Sequence, residues 1–193
     1  MKIKVLKQFA VMFLGLVLFA NHAHAQRAYV ALSDESAQIG YGTLIGGSNY
    51  GRTELAFDFL FTEEEAYVGD VSLQVFDQVG SKVKGLVAGI GGKIYALRQD
   101  NVDAIALGIG GMLRYSIPAN KRFILGLDGY YAPSVVTFLD ADTFYEIAAR
   151  VEFEVIPQAA AFVEWRDFGV EHEDSNKTYH VDQNVRVGME INF

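Results

Sequence analysis

Hydrophobic and polar residues alternate along most of this chain. In the C-terminal VRVGMEINF, Val185, Val187, Met189, Ile191 and Phe193 fall on one face, and Arg186, Gly188, Glu190 and Asn192 on the other, the two-residue period of a strand. The same period predicts strands over 53–61, 71–79, 86–97, 104–117, 123–131, 144–155, 159–168 and 185–193, preceded by shorter ones over 28–32 and 37–45. No stretch of useful length has a helical period. Most segments approach the roughly 9–11 residues that a tilted membrane strand needs. The connections are expected to alternate between short turns (VGSK, IPANK, VIPQ) and longer, more acidic loops (FTEEEA, RQDNVD, APSVVTFLDAD, VEHEDSNKTYH), as in outer-membrane barrels with short periplasmic turns and long outer loops. The pattern predicts an all-β fold, a closed antiparallel up-and-down transmembrane β-barrel of about ten strands, or eight if both early segments fail.

Alternation alone fits a soluble lipocalin-like barrel or a sandwich equally well, with the apolar face turned inward. The polar face decides between them. Over 104–117 the second set is Ala104, Ala106, Gly108, Gly110, Met112 and Arg114; small residues opposite a few long charged ones suit the crowded interior of a small barrel better than a solvated surface. The same assignment places Glu54, Asp58, Lys93, Arg114, Asp128, Glu146, Arg150, Glu152, Glu164, Arg166, Arg186 and Glu190 in a lumen, where both signs are present and can pair. Phe61, Tyr95, Tyr115, Tyr131, Tyr145, Trp165 and Phe193, near strand ends, are expected in the aromatic girdles.

The N-terminus changes the picture. Lys2, Lys4 and Lys7, the apolar run FAVMFLGLVLF and the small residues Ala23 and Ala25 read as a secretory signal peptide over 1–25, with the mature domain over 26–193. The run has eleven residues, against the roughly 20 a spanning helix requires. Loss of three lysines leaves 13 basic against 24 acidic residues, a net charge of −11, which excludes a nucleic-acid partner, because that affinity rests on Lys and Arg neutralising phosphates. There is no cysteine, hence neither a disulfide nor a thiolate metal site, and no cofactor or metal is expected.

Candidate chemistry is sparse. Outside the signal segment the histidines are His172 and His180, amid Glu171, Glu173, Asp174 and Asp182. A histidine among carboxylates could act as a general base on outer-membrane lipid or peptide, or ligate a divalent cation. A solvated acidic loop explains them more simply. The GIGG pairs lack the helix and Lys-Ser/Thr of a phosphate loop and read as glycines on a crowded wall. Pro133 in YYAPS is expected to end its strand by removing a ladder donor.

Longer stretches carry a resemblance. GLVAGIGGKIYALRQDN, ALGIGGMLRYSIP and GLDGYYAPSVVTFLDADTFYEIAARVEFEVIPQAAAFVEWRDFGV resemble the YfaZ family of outer-membrane proteins across most of the mature chain. The shared features are the paired glycines Gly91, Gly92, Gly110 and Gly111, the segment Tyr130 to Ser134, and an arginine followed by an acidic residue in the seventh or eighth strand. The resemblance implies a small outer-membrane barrel of undefined activity. VRVGMEINF further resembles the terminal strand of bacterial outer-membrane proteins, which implies that Phe193, with Ile191 and Met189, is read by the barrel assembly machinery. Outer-membrane lipid is the other expected partner, and the oligomeric state is not legible. The function expected is a non-enzymatic structural or loop-mediated binding role in the envelope. The alternatives are a narrow channel lined by Arg114, Arg150, Arg166 and Arg186, a barrel enzyme using His172 or His180, and a soluble periplasmic binding barrel.

Overall fold

The structure, a computed structural model, describes residues 26–48, 51–80, 83–99, 102–139, 141–172 and 178–193. The expected signal segment, Glu173, Asp174 and the side chain of His172 lie outside the described residues. The strands are β1 (Gln26–Leu32), β2 (Ser36–Ser48), β3 (Gly51–Thr62), β4 (Tyr67–Gln78), β5 (Leu86–Gln99), β6 (Val102–Ser116), β7 (Phe123–Ala132), the short β8 (Thr137–Leu139), β9 (Ala141–Ile156), β10 (Ala159–His172) and β11 (Thr178–Asn192). The strands pair antiparallel with their sequence neighbours round the sheet, except that β7 pairs with β6 and β9 and β8 with β6, and β1 closes the sheet on β11. At the seam the Gln26 amide donates to the Phe193 carbonyl at 2.7 Å and the Phe193 amide returns to Gln26 at 2.9 Å. Closure leaves no strand edge for lipid to solvate, the condition for a sheet to cross a bilayer.

The wall has ten positions among the described residues because β7 and β8 share one. β7 covers Ile109 to Ser116 of β6, and β8 continues along the same strand over Ala104 to Ala106. Pro133 does end β7, as expected. The 3₁₀ turn Ser134–Val136 that follows is a local break: the Val136 amide and the Thr137 hydroxyl both donate to the Pro133 carbonyl, at 3.0 and 3.1 Å, and the chain re-enters the wall. Half of the expected loop APSVVTFLDAD is therefore wall.

The expected sorting of connections by length is corrected in the same way. Strands run well into the predicted loops, leaving connections 33–35, 63–66, 100–101, 140 and 173–177 at one end, and 49–50, 79–85, 117–122 and 157–158 at the end that carries both termini. The two sets overlap in length. Charge separates them instead: Asp34, Glu35, Glu63, Glu64 and Glu65 lie at the distal end, and Lys84, Lys121 and Arg122 at the terminal end.

Exposure alternates with the pleat. On β6, Ile105, Leu107 and Ile109 are exposed, Ile109 by 70%, while Ala104 and Ala106 are buried. Ile90, Ile94, Leu125, Leu127, Val151, Val163, Trp165, Val185 and Val187 continue the outward apolar band. A continuous band of this kind would be intolerable in water and is the lipid-facing belt of a membrane barrel. Of the expected girdle residues, Trp165 lies midway along β10 in this belt rather than at a girdle, and Tyr95 faces the bore. It shares parity with Lys93 and is buried in the lumen, 1% exposed.

Candidate functional site

The inward residues form three tiers. At the distal end an apolar plug fills the bore: Tyr95 stacks on Phe144 (centroids 5.8 Å, planes 27° apart) and on Phe168 (5.6 Å, 24°), packed by Leu60, Val68, Leu97, Ala104 and Ala106. Phe144 and Phe168 are wholly buried.

Beneath the plug lies a layer of paired charge. One oxygen of Glu146 accepts from the Lys93 ammonium at 3.0 Å and from the Tyr95 hydroxyl at 2.7 Å, and the other takes Arg166 at 2.9 Å. Asp70 stands 3.5 Å from Lys93. Arg166 also donates to the Gln38 side chain at 2.9 Å and faces Asp182 at 3.7 Å, while Asp182 accepts from the Ser36 hydroxyl at 2.9 Å. Glu164 is shared between Arg150, at 2.6 Å, and Arg186. Buried ions of both signs are tolerable because each faces an opposite charge, although one Asp70 oxygen and one nitrogen each of Arg150, Arg166 and Arg186 have no hydrogen-bond partner among the described residues.

Towards the termini the bore widens into a cavity of about 270 Å³. Arg27 and Glu54 (2.7 Å), Arg114 and Asp128 (2.8 Å), and Tyr29 and Asp58 (2.5 Å) line it, with Glu152 and Glu190 between them. Side-chain exposure falls from 26% at Arg27 and 22% at Asp128 to 3% at Glu164 and 1% at Arg166, so the cavity is a blind cup that opens at the terminal end.

All twelve charges assigned to a lumen from the sequence face inward and join this network or line the cup. Asp70, Asp182, Arg27, Tyr29 and Gln38 also belong to it, although the sequence places none of them in the lumen and sets Asp182 beside the histidines. Arg27 and Asp70 precede the predicted starts of their strands, although the alternation extends back through both. Asp182 is displaced by a bulge. The β10–β11 register passes from Phe168 opposite Asp182 to Gly169 opposite His180, skipping Val181, and the extra residue reverses the side-chain parity beyond it.

That bulge settles where the histidine stands. Asp182, expected as a neighbour of His180, is inside the barrel, and His180 is outside. There the His180 Nδ1 lies 2.9 Å from an Asp167 carboxylate oxygen and 3.2 Å from the Tyr145 hydroxyl. Met189, Ile191 and Phe193 are exposed beside the closing seam.

Solved structures of the same general shape include a KdgM porin in complex with disordered oligogalacturonate, 11% identical, covering 88% of this chain and 99% of that one at a TM-score of 0.45. A bacterial polysaccharide outer membrane secretin is 10% identical over 88% of this chain and 65% of that one, at 0.46. No curated protein sequence matches the chain. The model of the family described as YfaZ precursor matches residues 6–193. With its closed ten-position wall, outward apolar belt and charged lumen, this exported outer-membrane barrel belongs to the YfaZ family.

Proposed function

We propose that the protein is a non-enzymatic and non-conducting outer-membrane barrel whose role in the envelope rests on its wall and rim. The observation that carries this reading is the plug: Tyr95, Phe144 and Phe168 fill the bore, and the Glu146, Lys93 and Arg166 layer closes it again directly beneath. Narrow barrels are filled by their own side chains. The four arginines a channel would need are each engaged by a carboxylate: Arg114 by Asp128, Arg150 and Arg186 by Glu164, and Arg166 by Glu146. They offer a passing anion little free charge.

Planar bilayers test the reading. The purified barrel, inserted at a density verified by labelling, should give a flat current. The double variant Phe144→Ala/Phe168→Ala, which empties the plug, should give discrete steps. Reproducible steps from the unaltered protein would overturn the proposal in favour of a narrow channel.

A further inference from the structure

The blind cup has one corner that its own residues leave unsatisfied. Arg150, 6% exposed, stands towards its floor. The guanidinium is fixed from two sides: its Nε donates to Glu164 at 2.6 Å, and its face lies 3.9 Å from the centre of the Phe162 ring. In this pose the Nη1 is buried without a hydrogen-bond partner among the described residues. The nearest acceptors are Glu190 at 3.5 Å and Glu152 at 3.8 Å, outside the ordinary range of a hydrogen bond. Glu152 lacks a partner too. No group among the described residues donates a hydrogen bond to it, and its other cation, the Arg114 Nε, also stands 3.8 Å away. A buried guanidinium nitrogen without an acceptor is costly and rare, and here Arg150, Glu152 and Glu190 all border open space.

The chemistry of this corner selects its occupant, which must offer an acceptor to the Arg150 Nη1 and a donor to Glu152 or Glu190 side by side. A hydroxyl is the neutral group that does both from one oxygen, and an oxygen set beside the 3.5–3.8 Å gaps reaches the nitrogen and a carboxylate together. It also satisfies Glu152 in either protonation state, donating to a carboxylate and accepting from an acid. Charge disfavours the other classes. Carboxylates outnumber cations seven to five among the lining residues, which repels an anion, and a cation at this corner would stand against Arg150. At about 270 Å³ the cup has room for far more than one water and falls just below the usual range of small-molecule pockets, so it suits a ligand of monosaccharide size and no oligomer. Across the bore, Ser72 and Gln74 on β4 add neutral polar groups to the lining. We propose that the cup is a binding site for a neutral polyhydroxylated solute, anchored by one hydroxyl between the Arg150 Nη1 and Glu152 or Glu190.

The site lies on the terminal side of the layer that closes the bore, so it stands or falls independently of conductance. The full barrel, refolded in a zwitterionic detergent that has no sugar headgroup, is titrated with glycerol, glucose and myo-inositol, and with glucuronate and putrescine as the anionic and cationic probes; binding is read by saturation-transfer NMR. At least one of the three neutral polyols should saturate, with an affinity about tenfold or more above those of glucuronate and putrescine. Arg150→Lys keeps a cation beside Glu164 but removes the free nitrogen. It should weaken polyol binding about tenfold, the size set by one charge-assisted hydrogen bond, while the barrel keeps its mobility shift on boiling. If that variant fails to refold, Glu152→Gln, which breaks no hydrogen bond among the described residues, should weaken binding several-fold. Absence of saturation by all three polyols, as where water alone bridges the corner, tighter binding of glucuronate or putrescine, or polyol binding unchanged in the folded variants would overturn the assignment.

Discussion

Glu146 is the residue on which the closed lumen depends most, and its replacement can be reasoned through in detail. In Glu146→Gln the side chain keeps its shape, but the amide nitrogen must face either Arg166 or the pair formed by Lys93 and the Tyr95 hydroxyl, placing donor against donor. Lys93 then keeps only Asp70, at 3.5 Å, and Arg166 only the 3.7 Å approach to Asp182 and the Gln38 oxygen. Removing one member of a buried ion pair costs about 3–5 kcal/mol, and because two cations share the Glu146 charge while the amide oxygen can still accept on one side only, this variant falls near the top of that range. Arg166→Met should cost less, about 3 kcal/mol, because Glu146 retains Lys93 and Tyr95, and Asp182 retains Arg186 at 3.4 Å and Ser36. The double variant should fall short of the sum by about 1–3 kcal/mol, the usual coupling between groups in contact. Urea unfolding in vesicles reads all three, with Trp165, the only tryptophan and on the lipid face, as the fluorescent reporter. Arg98→Ala, which breaks the solvent-exposed pair with Asp103, is the control and should leave the midpoint unchanged. A Glu146→Gln midpoint no lower than that of Arg166→Met, or strict additivity of the pair, would refute the reasoning.

Two further substitutions probe the plug and the wall. Phe144→Ala should cost about 3–5 kcal/mol, as for other wholly buried phenylalanines, yet leave a barrel that still shifts on boiling; a variant with an unchanged urea midpoint would mean that the ring is not packed as described. Gly110→Val should prevent refolding to the heat-modifiable form, because a Cβ there would stand 2.0 Å from the Gly129 carbonyl oxygen on β7. Normal refolding in a gel assay would remove close backbone approach as the reason for that glycine.

The wall was legible because one signal, the period of two, is enforced at every strand by lipid on one side and a crowded bore on the other. It located strand centres and the inward parity of Glu54, Arg150 or Arg186 without any knowledge of the pairing. It failed at strand ends, where Gln26–Leu32 and Tyr67–Gln78 begin before their apolar runs do. Connection length misled for the same reason, since hydrogen-bonded hairpins extend into polar sequence that reads as loop. The plug was hidden more deeply. Nothing in the sequence distinguishes Phe144 and Phe168, which point inward, from Tyr145, which points outward, except the parity of each strand, and for Tyr95 a position near a strand end suggested a girdle where parity with Lys93 indicates the bore. The bulge at Val181 left no local mark: one unpaired residue among TYHVDQN moves Asp182 and His180 to opposite sides of the wall, and only the pairing with β10 reveals it.

Why the middle tier is ionic, when the plug above shows that apolar packing can close the bore, follows from how a barrel is specified. Well-packed hydrophobic residues can replace buried ion pairs at little or no cost in stability, so stability alone does not explain Lys93, Glu146 and Arg166. Register does. Slipping one strand by a single residue turns its whole inward set to the lipid. A slipped β9 would carry Glu146, Arg150 and Glu152 into hydrocarbon, where each charge is worth several kcal/mol against it, whereas a slipped apolar strand would meet little resistance. The charges therefore penalise the wrong pairings more than they stabilise the right one. Replacing the group together with the groups that depend on it, Lys93→Met, Asp70→Leu, Glu146→Leu, Arg166→Met and Tyr95→Phe, leaves Asp182 with Arg186 and Ser36 and orphans no buried carboxylate; it should give a barrel whose folded fraction unfolds near the original urea midpoint but which refolds in lower yield, with a larger share of heat-insensitive, misassembled chain. A combined variant that refolds in full yield would show that register is set elsewhere, and one that refolds but unfolds at a much lower midpoint would show that the ions are there for stability after all.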